Sequence, residues 1–454
     1  MLRQLAISAL LIACALPAVA RTRPHYGGTL RVETEGDPLQ RPDGTARKLL
    51  LDGLTQLDEH GTVQPALAIR WTSENNDHRW QFWLRPGVHF HNGATLNSTN
   101  VIAALTAICG SGCPWTTVQP AGASIVFISD SPMPNLDALI AEDAYRIYLT
   151  DAGDGRTPAC CIGTGPFELP PTPSTAFSLI ANDNYWQGRP FIDKIEIYGH
   201  KSIHDQWLDL TLGRADLVEV PAEQIRQARE QRLTVITSPP IELLALAVTD
   251  SGVLGNPTLR ASIALAVDRA ALSNVIFQKQ GEITASLLPA SLTGYSFLFS
   301  TERDVNKAHE LRGGITPPQL LLSTEANPTM QLAAQRIALN LHEAGFNVQL
   351  AAPSQHSDMM LVRRRLAPRQ PQAALTSMLR GVGVQSPVLA DQPAGLYREE
   401  REFLDTHTLI PLLYLPRAYA VSGRVRDLRL ASDGTPLLAN VALQDAPDAI
   451  GATQ

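Results

Sequence analysis

Beyond its first twenty residues the chain has no stretch that reaches the roughly 18 uninterrupted apolar residues of a membrane-spanning helix. Positive charge is in deficit: 37 Lys and Arg face 44 Asp and Glu, a formal net charge of −7, which leaves no electrostatic footprint for nucleic acid. Glycine and proline, at 31 and 33 residues, follow no period, so a collagen-like chain is excluded and many turns are expected. There is no internal repeat and no low-complexity tract. The chain also lacks the G-x-S-x-G, H-E-x-x-H and C-x-x-C-H patterns, so no hydrolase, zinc-protease or haem-attachment motif is present. Nothing singles out a catalytic residue, a metal site or a cofactor.

Apolar material is plentiful. At 454 residues and 44% hydrophobic, the chain can build several cores, and its length suggests about three domain-sized units. Residues 1–20 read as a signal peptide: an arginine, an apolar run, and Ala18-Val19-Ala20 as a small-x-small cleavage site. Leu11-Ile12-Ala13-Cys14 offers a second reading as a lipoprotein box, with a lipid anchor on Cys14. Either way the protein is expected outside the cytoplasm. Four further cysteines, Cys109, Cys113, Cys160 and Cys161, then read as disulfide candidates, with the Cys109/Cys113 loop bridged to the Cys160/Cys161 loop. The alternative, a four-thiolate zinc site, would need two ligands from adjacent residues.

Two units stand out. Trp80, Phe82 and Leu84 alternate with Gln81, Trp83 and Arg85, and after Pro86-Gly87 the alternation resumes at Val88 and Phe90, which predicts a hairpin. A helix follows, with Thr99 as its cap and Val101, Ala104, Leu105 and Ile108 on one face. Trp71, Trp80 and Phe82 are expected in the core of a small β subdomain. Further on, Leu320–Leu322, a helix opened by Asn327-Pro328, and Phe346–Leu350 spell a βαβ unit with parallel strands. Between these, Pro257 opens a helix with Leu259, Ile263 and Val267 on one side, and Asp268 can cap the next. His89 and His91 lie at strand spacing and are read as a surface-facing pair. His200 and His204 have the spacing of a helical metal pair, but no third ligand is evident.

Residues 51–105, from Leu51-Asp52-Gly53-Leu54 through Trp80-Gln81-Phe82 to Leu105, resemble the signature of the extracellular solute-binding proteins of family 5. Those are the peptide/nickel-type binding components of ABC importers. Tyr26-Gly27-Gly28-Thr29-Leu30, Gly163-Thr164-Gly165-Pro166-Phe167, Asn184-Tyr185-Trp186-Gln187-Gly188, Leu212-Gly213-Arg214-Ala215-Asp216, Leu259 to Arg269 and Ile410 to Tyr414 follow in the order of that family. The resemblance implies an α/β fold of two lobes, a type II periplasmic-binding-protein clamshell with mixed β-sheets and an extra small β-rich subdomain. Lobe I is expected at 21–245, its subdomain at about 60–160, lobe II at 246–408, and the return to lobe I at 409–454. Hinges are expected near Leu244–Asp250 and Thr406–Leu412.

The implied function is periplasmic capture of a small, oligopeptide-like solute by a monomer that delivers it to an ABC permease with cytoplasmic ATPase subunits. A sensor or scaffold on the same fold, or an exported hydrolase, is the alternative. No cofactor, metal or nucleic acid is implied. The polar stretch Glu33 to Asp43 lies where the family lines its cleft, which nominates Glu35 and Asp37. Tyr295 and Phe297 in a lobe II loop could face it. The acidic anchor of peptide binders is not recognisable, and Arg363, Arg364 and Arg365 stand in the comparable region. Read as a helix, the three point three ways. The sharper expectation is that Arg363 or Arg365 presents a guanidinium to the cleft, favouring a carboxylate-bearing or neutral ligand.

Overall fold

The computed structural model describes residues 25–37, 45–109, 113–150, 161–172, 177–315, 318–351, 356–366, 370–384 and 388–444. The expected signal segment, Cys14, Cys160 and the side chain of Cys109 lie outside them. No described helix is long and apolar enough to cross a membrane.

One mixed sheet runs through the molecule. Its strands are β1 (Thr29–Glu33), β2 (Phe167–Glu168), β3 (Phe177–Ala181), β4 (Lys194–Tyr198), β5 (Leu217–Val220), β6 (Thr234–Val248), β7 (Glu282–Ile283), β8 (Leu320–Ser323), β9 (Val348–Leu350), β10 (Met359–Arg365) and β11 (Leu409–Val421). Their order is β9-β8-β10-β6-β11-β5-β1-β4-β3-β2, with β7 added on β11. The β8–β9 pair is parallel and spanned by the helix Pro328–Glu343, as the βαβ reading requires. Met330, Ala334, Ile337 and Leu341 are buried on that helix, and the Asn327 side chain accepts from the backbone N–H of Thr329 and Met330. The Pro257–Ala266 helix and the Asp268 cap are also as expected.

β6 and β11 are long because they serve both lobes. At one end Thr234–Thr237 pairs with Ala418–Val421, beside β5 and β1. At the other, Leu243–Val248 lies between β10 and Leu409–Tyr414. Leu244, Leu246, Ile410, Leu412, Leu413 and Leu415 all belong to the lobe II core. Tyr419, Val421, Leu438 and Leu443 belong to that of lobe I, so the chain re-enters lobe I after Arg417 and not at 409, where the return was expected. The crossings therefore fall at Ser238–Glu242 and Leu415–Arg417, not near Leu244–Asp250 and Thr406–Leu412. Prolines mark the place. Pro239, Pro240 and Pro416 have no N–H to donate, and the register slips on both sides of Pro240. The Ser238 hydroxyl takes over there, accepting the Arg417 N–H at 2.9 Å.

The small subdomain is a four-stranded antiparallel sheet in the order Ala68–Glu74, Arg79–Leu84, Ser124–Ile128, Thr117–Ala121. Trp80 and Phe82 are in its core as expected, joined there by Phe127, and the partly buried Trp71 packs against them. The hairpin is not where the alternation placed it. Arg79–Leu84 pairs back onto Ala68–Glu74, and Asn75, Asn76 and Asp77 turn the chain with positive φ, a conformation Asn and Asp tolerate. His89 keeps only an isolated bridge to Thr95. The helix Ser98–Cys109 is capped by Asn97 instead of Thr99: its side chain accepts the Asn100 N–H at 3.0 Å, and that of Asn100 accepts the Asn97 N–H at 2.9 Å.

Cys113 is disulfide-bonded, which removes the four-thiolate alternative. Cys161 remains a thiol, buried in the lobe I core, so this disulfide candidate is corrected. His200 precedes the helix Ile203–Thr211 and has φ 58°, so it and His204 do not share a helical face.

His91 is not a surface residue. Its Nδ1 accepts the Gly163 N–H at 3.3 Å and its Nε2 lies 3.1 Å from the Gly165 carbonyl. That pair of contacts needs a neutral ring protonated on Nε2. Burial lowers its pKa from 6.5 to about 4, with the Gly165 contact opposing. The unfolded chain thus takes up the proton first as pH falls. Stability contributed above pH 6.5 is lost between 6.5 and about 4, by at most about 3 kcal/mol. Denaturant titrations at pH 7.5 and pH 4 are expected to show a smaller loss in His91→Gln than in the wild type; equal losses would contradict the assignment.

Candidate functional site

The two crossings form the floor of a cleft of about 1030 Å³ between the lobes. β10 brings three arginines to it. The segment expected as a helix is a strand because Met359, Leu361 and Val362 are needed in the lobe II core between β6 and β8. On a strand Arg363 and Arg365 share a face, and Glu242 stands opposite Arg365 in register. Arg363 Nη1 lies 3.3 Å from Glu242 Oε2 and its Nη2 2.7 Å from Glu325 Oε1; Arg365 Nε is 3.6 Å from Glu242 Oε1. Burial works against the Arg363 charge, but the two carboxylates more than offset it and raise its pKa. Arg417 Nη2 on the opposite lobe is 3.7 Å from Glu219 Oε1. Asp433, also buried at the cleft, is held well below the usual carboxylate range by Lys48 despite desolvation.

The rims are bridged. On one side the Thr329 hydroxyl of lobe II donates to Glu223 of lobe I, and Asn327 Nδ2 stands 3.5 Å from Glu35 Oε2. Glu35 is seated by its own N–H, which donates to Glu219 Oε2 at 2.7 Å. On the other side Asn135 Nδ2 donates to Gln372 Oε1 at 2.7 Å and Arg380 Nη1 to the Tyr145 hydroxyl at 3.1 Å.

Glu35, Arg363 and Arg365 therefore meet in one cleft. Asp37 and Tyr295 are not among its lining residues. Tyr295 is 6% exposed and packs in the lobe II core against Phe299 and Tyr397, with the Glu400 carboxylate beside its hydroxyl. Phe297 is 79% exposed and does not line the cleft. Glu242, Glu223 and Glu142 are cleft residues that sequence reasoning missed. Glu242 carried a signal, as the single charge in the run Pro239–Val248; the other two carried none.

No cluster of metal-ligating side chains occurs among the described residues. Residues 62–383 match the family model of bacterial extracellular solute-binding proteins, family 5. The chain belongs to this family. Among its relatives is a protein of Pseudomonas aeruginosa described as a probable di/tripeptide-binding protein, 24% identical over 384 residues, 72% of this chain and 73% of that one. The periplasmic binding protein DppA of Helicobacter pylori, solved with the peptide STSA, superposes with a TM-score of 0.77 over 92% of this chain and 98% of that one, at 18% identity. NikA of Staphylococcus aureus, solved with Ni(L-His)2, does so with a TM-score of 0.76 over 92% and 100%, at 16% identity. The family 5 fold, two α/β lobes around a solute cleft, is thus the fold of this protein, and it is shared by relatives with chemically different ligands.

Proposed function

We propose that this protein captures a short peptide in the periplasm and delivers it to an ABC permease powered by cytoplasmic ATPase subunits. The observation that carries the reading is the cleft itself. Its volume of about 1030 Å³ is at the upper end of small-ligand sites, which run to roughly 1,000 Å³, and suits a short peptide better than a single ion. Its walls carry both signs of charge, as a zwitterionic ligand requires: carboxylates at Glu35, Glu142 and Glu223, and guanidinium groups along β10. The acidic anchor absent from the expected lobe II position is supplied in this reading by lobe I. Arg363 and Arg365 already face Glu242, so Arg364, whose Nε is buried without a hydrogen-bond partner, is the better candidate for a ligand carboxylate. The di/tripeptide-binding relative supports the ligand class. Asn327, Thr329 and Gln372 reach across the cleft and favour the closed form, whose population a ligand raises by its differential affinity.

Di- and tripeptides at 100 times their dissociation constant are expected to stabilise the protein by about 2.7 kcal/mol, read as a melting shift. Small-angle scattering should show compaction under the same conditions. No shift with any peptide set would end the peptide reading, and an unchanged radius at saturation would end the clamshell mechanism.

A further inference from the structure

A second cavity, of about 430 Å³, shares no lining residue with the solute cleft. One wall is the small subdomain between Cys113 and Leu139. The other is the lobe II helix Pro371–Arg380, which presents Ser377 to the cleft and Ala373, Thr376 and Arg380 to the cavity. Hydrogen bonds from Asn135 to Gln372 and from Arg380 to Tyr145 moor this helix to lobe I. Trp115, Met133, Leu136 and Ala373 are buried along the cavity, and with Leu139 they give it an apolar lining. Thr116, Asp130 and Ser131 are exposed at its mouth. Asp130 there takes the Thr116 hydroxyl at 3.2 Å and stands in water.

Arg380 is the cation among the lining residues, and most of its hydrogen-bonding capacity is unspent. A guanidinium offers five N–H donors. The half-buried Arg380 makes one side-chain hydrogen bond, from Nη1 to the neutral Tyr145 hydroxyl at 3.1 Å. No carboxylate among the described residues forms an ion pair with it; Glu142, on the cleft side, acts on it only at longer range. Its Nε is shut off from solvent, but Nη2 is not, and Nη2 has no partner among the described residues. The cleft arginines differ: Arg363 and Arg365 pair with Glu242, and Arg417 with Glu219. A guanidinium drawn out of water beside apolar groups is best compensated by a carboxylate, and here none is supplied by the fold. We propose that this cavity is a second binding site, for a small carboxylate with an apolar body: the acid pairs with Arg380 through Nη2, and the body lies against Trp115 and Met133. The volume is within the roughly 300–1,000 Å³ of small-ligand sites. The two walls belong to different lobes, so an occupant that touches both favours the closed form by its differential affinity.

The probe is 3-phenylpropanoate, set against 3-phenylpropanol, its uncharged counterpart of similar shape. Titration calorimetry of the wild type at pH 7 is expected to show saturable binding of the acid, at least about tenfold tighter than the alcohol, the scale of one charge-assisted contact. Arg380→Gln should weaken the acid to the level of the alcohol and leave the alcohol as it was. Arg380→Lys keeps the charge without the planar fork, so its affinity for the acid should fall between the two. Ala373→Leu, which fills the cavity from the lobe II wall and leaves Arg380 in place, should weaken acid and alcohol together. Melting of each variant without the probe shows whether it folds, and the contrast between acid and alcohol in the wild type stands without any variant. Equal affinity of the wild type for the two compounds, no binding of either, or a preference for the acid that survives Arg380→Gln would overturn the site. Acid binding untouched by Ala373→Leu would put the acid outside the cavity and overturn it as well.

Discussion

Gly163→Ala is expected to lower the melting temperature on the order of 10 °C, equivalent to about 4 kcal/mol. A Cβ at this position would overlap the Leu50 carbonyl oxygen and come within 2.5 Å of Leu51 Cδ2. Neither can step aside. The Leu50 carbonyl already accepts the Gly165 N–H at 3.0 Å, and Leu50 and Leu51 are buried in the lobe I core. Moving the turn instead would break the Gly163 N–H bond to His91 and the 2.9 Å bond from the Thr164 hydroxyl to Asp52. Asp52 in turn takes the Trp186 indole N–H at 2.8 Å, so the disturbance would reach the Asn184–Gly188 segment. Scanning calorimetry checks this, and wild-type melting of Gly163→Ala would refute the close packing of the turn against Leu50.

The second large effect belongs to lobe II. Glu400 is fully buried on the helix Pro393–Leu404. It accepts the Ser286 hydroxyl at 2.6 Å and the Leu287 N–H at 2.5 Å. Burial raises its pKa, with Ser286 and Tyr295 opposing. Glu400→Ala would strand both donors and leave a cavity under Tyr295 and Tyr414, a loss of about 3–5 kcal/mol. Glu400→Gln keeps the shape and an acceptor oxygen, so most of the stability should return. The same pair of variants is expected to leave the Asp52 network untouched, because additivity holds for sites far apart with no shared partner. Chemical denaturation of the two single variants and of the double variant with Gly163→Ala tests this; strong non-additivity would mean that the lobes do not carry their cores separately.

The units legible in the sequence are those whose patterning and end signals are local. The β8–helix–β9 unit has apolar residues at helical spacing, an Asn-Pro start and Gly345 at its end, and it stands where expected. The Trp80-Phe82-Leu84 alternation marks a strand for the same reason. Its partner could not be read, since alternation states which face is buried and not which strand lies alongside. Asn75-Asn76-Asp77, not Pro86-Gly87, makes the hairpin.

The arginines of β10 were misread by a different route. Ser357 to Leu366 is short and ambiguous in period, and a run of charges suggests an exposed helix. Its place as an interior strand depends on β6 and β8, which supply ladder partners on both sides. Its place in a lobe II loop nominates Tyr295 for the cleft; only the packing of Tyr397 and Phe299 shows it to be core. Arg380 could not be read as the wall of a second cavity, because the other wall, 113–139, lies more than two hundred residues away.

From its own order the chain determined the family, the two-lobed plan and the aromatic core of the subdomain, because these rest on motifs and periodicities written within short segments. The tertiary structure alone decided the crossings at Ser238–Glu242 and Leu415–Arg417, the pairing of Arg363 and Arg365 with Glu242, and the cavity at Arg380. Those depend on which distant groups are brought within a few ångströms and removed from water. Charge pairing and desolvation are set by that proximity, and no local pattern encodes it.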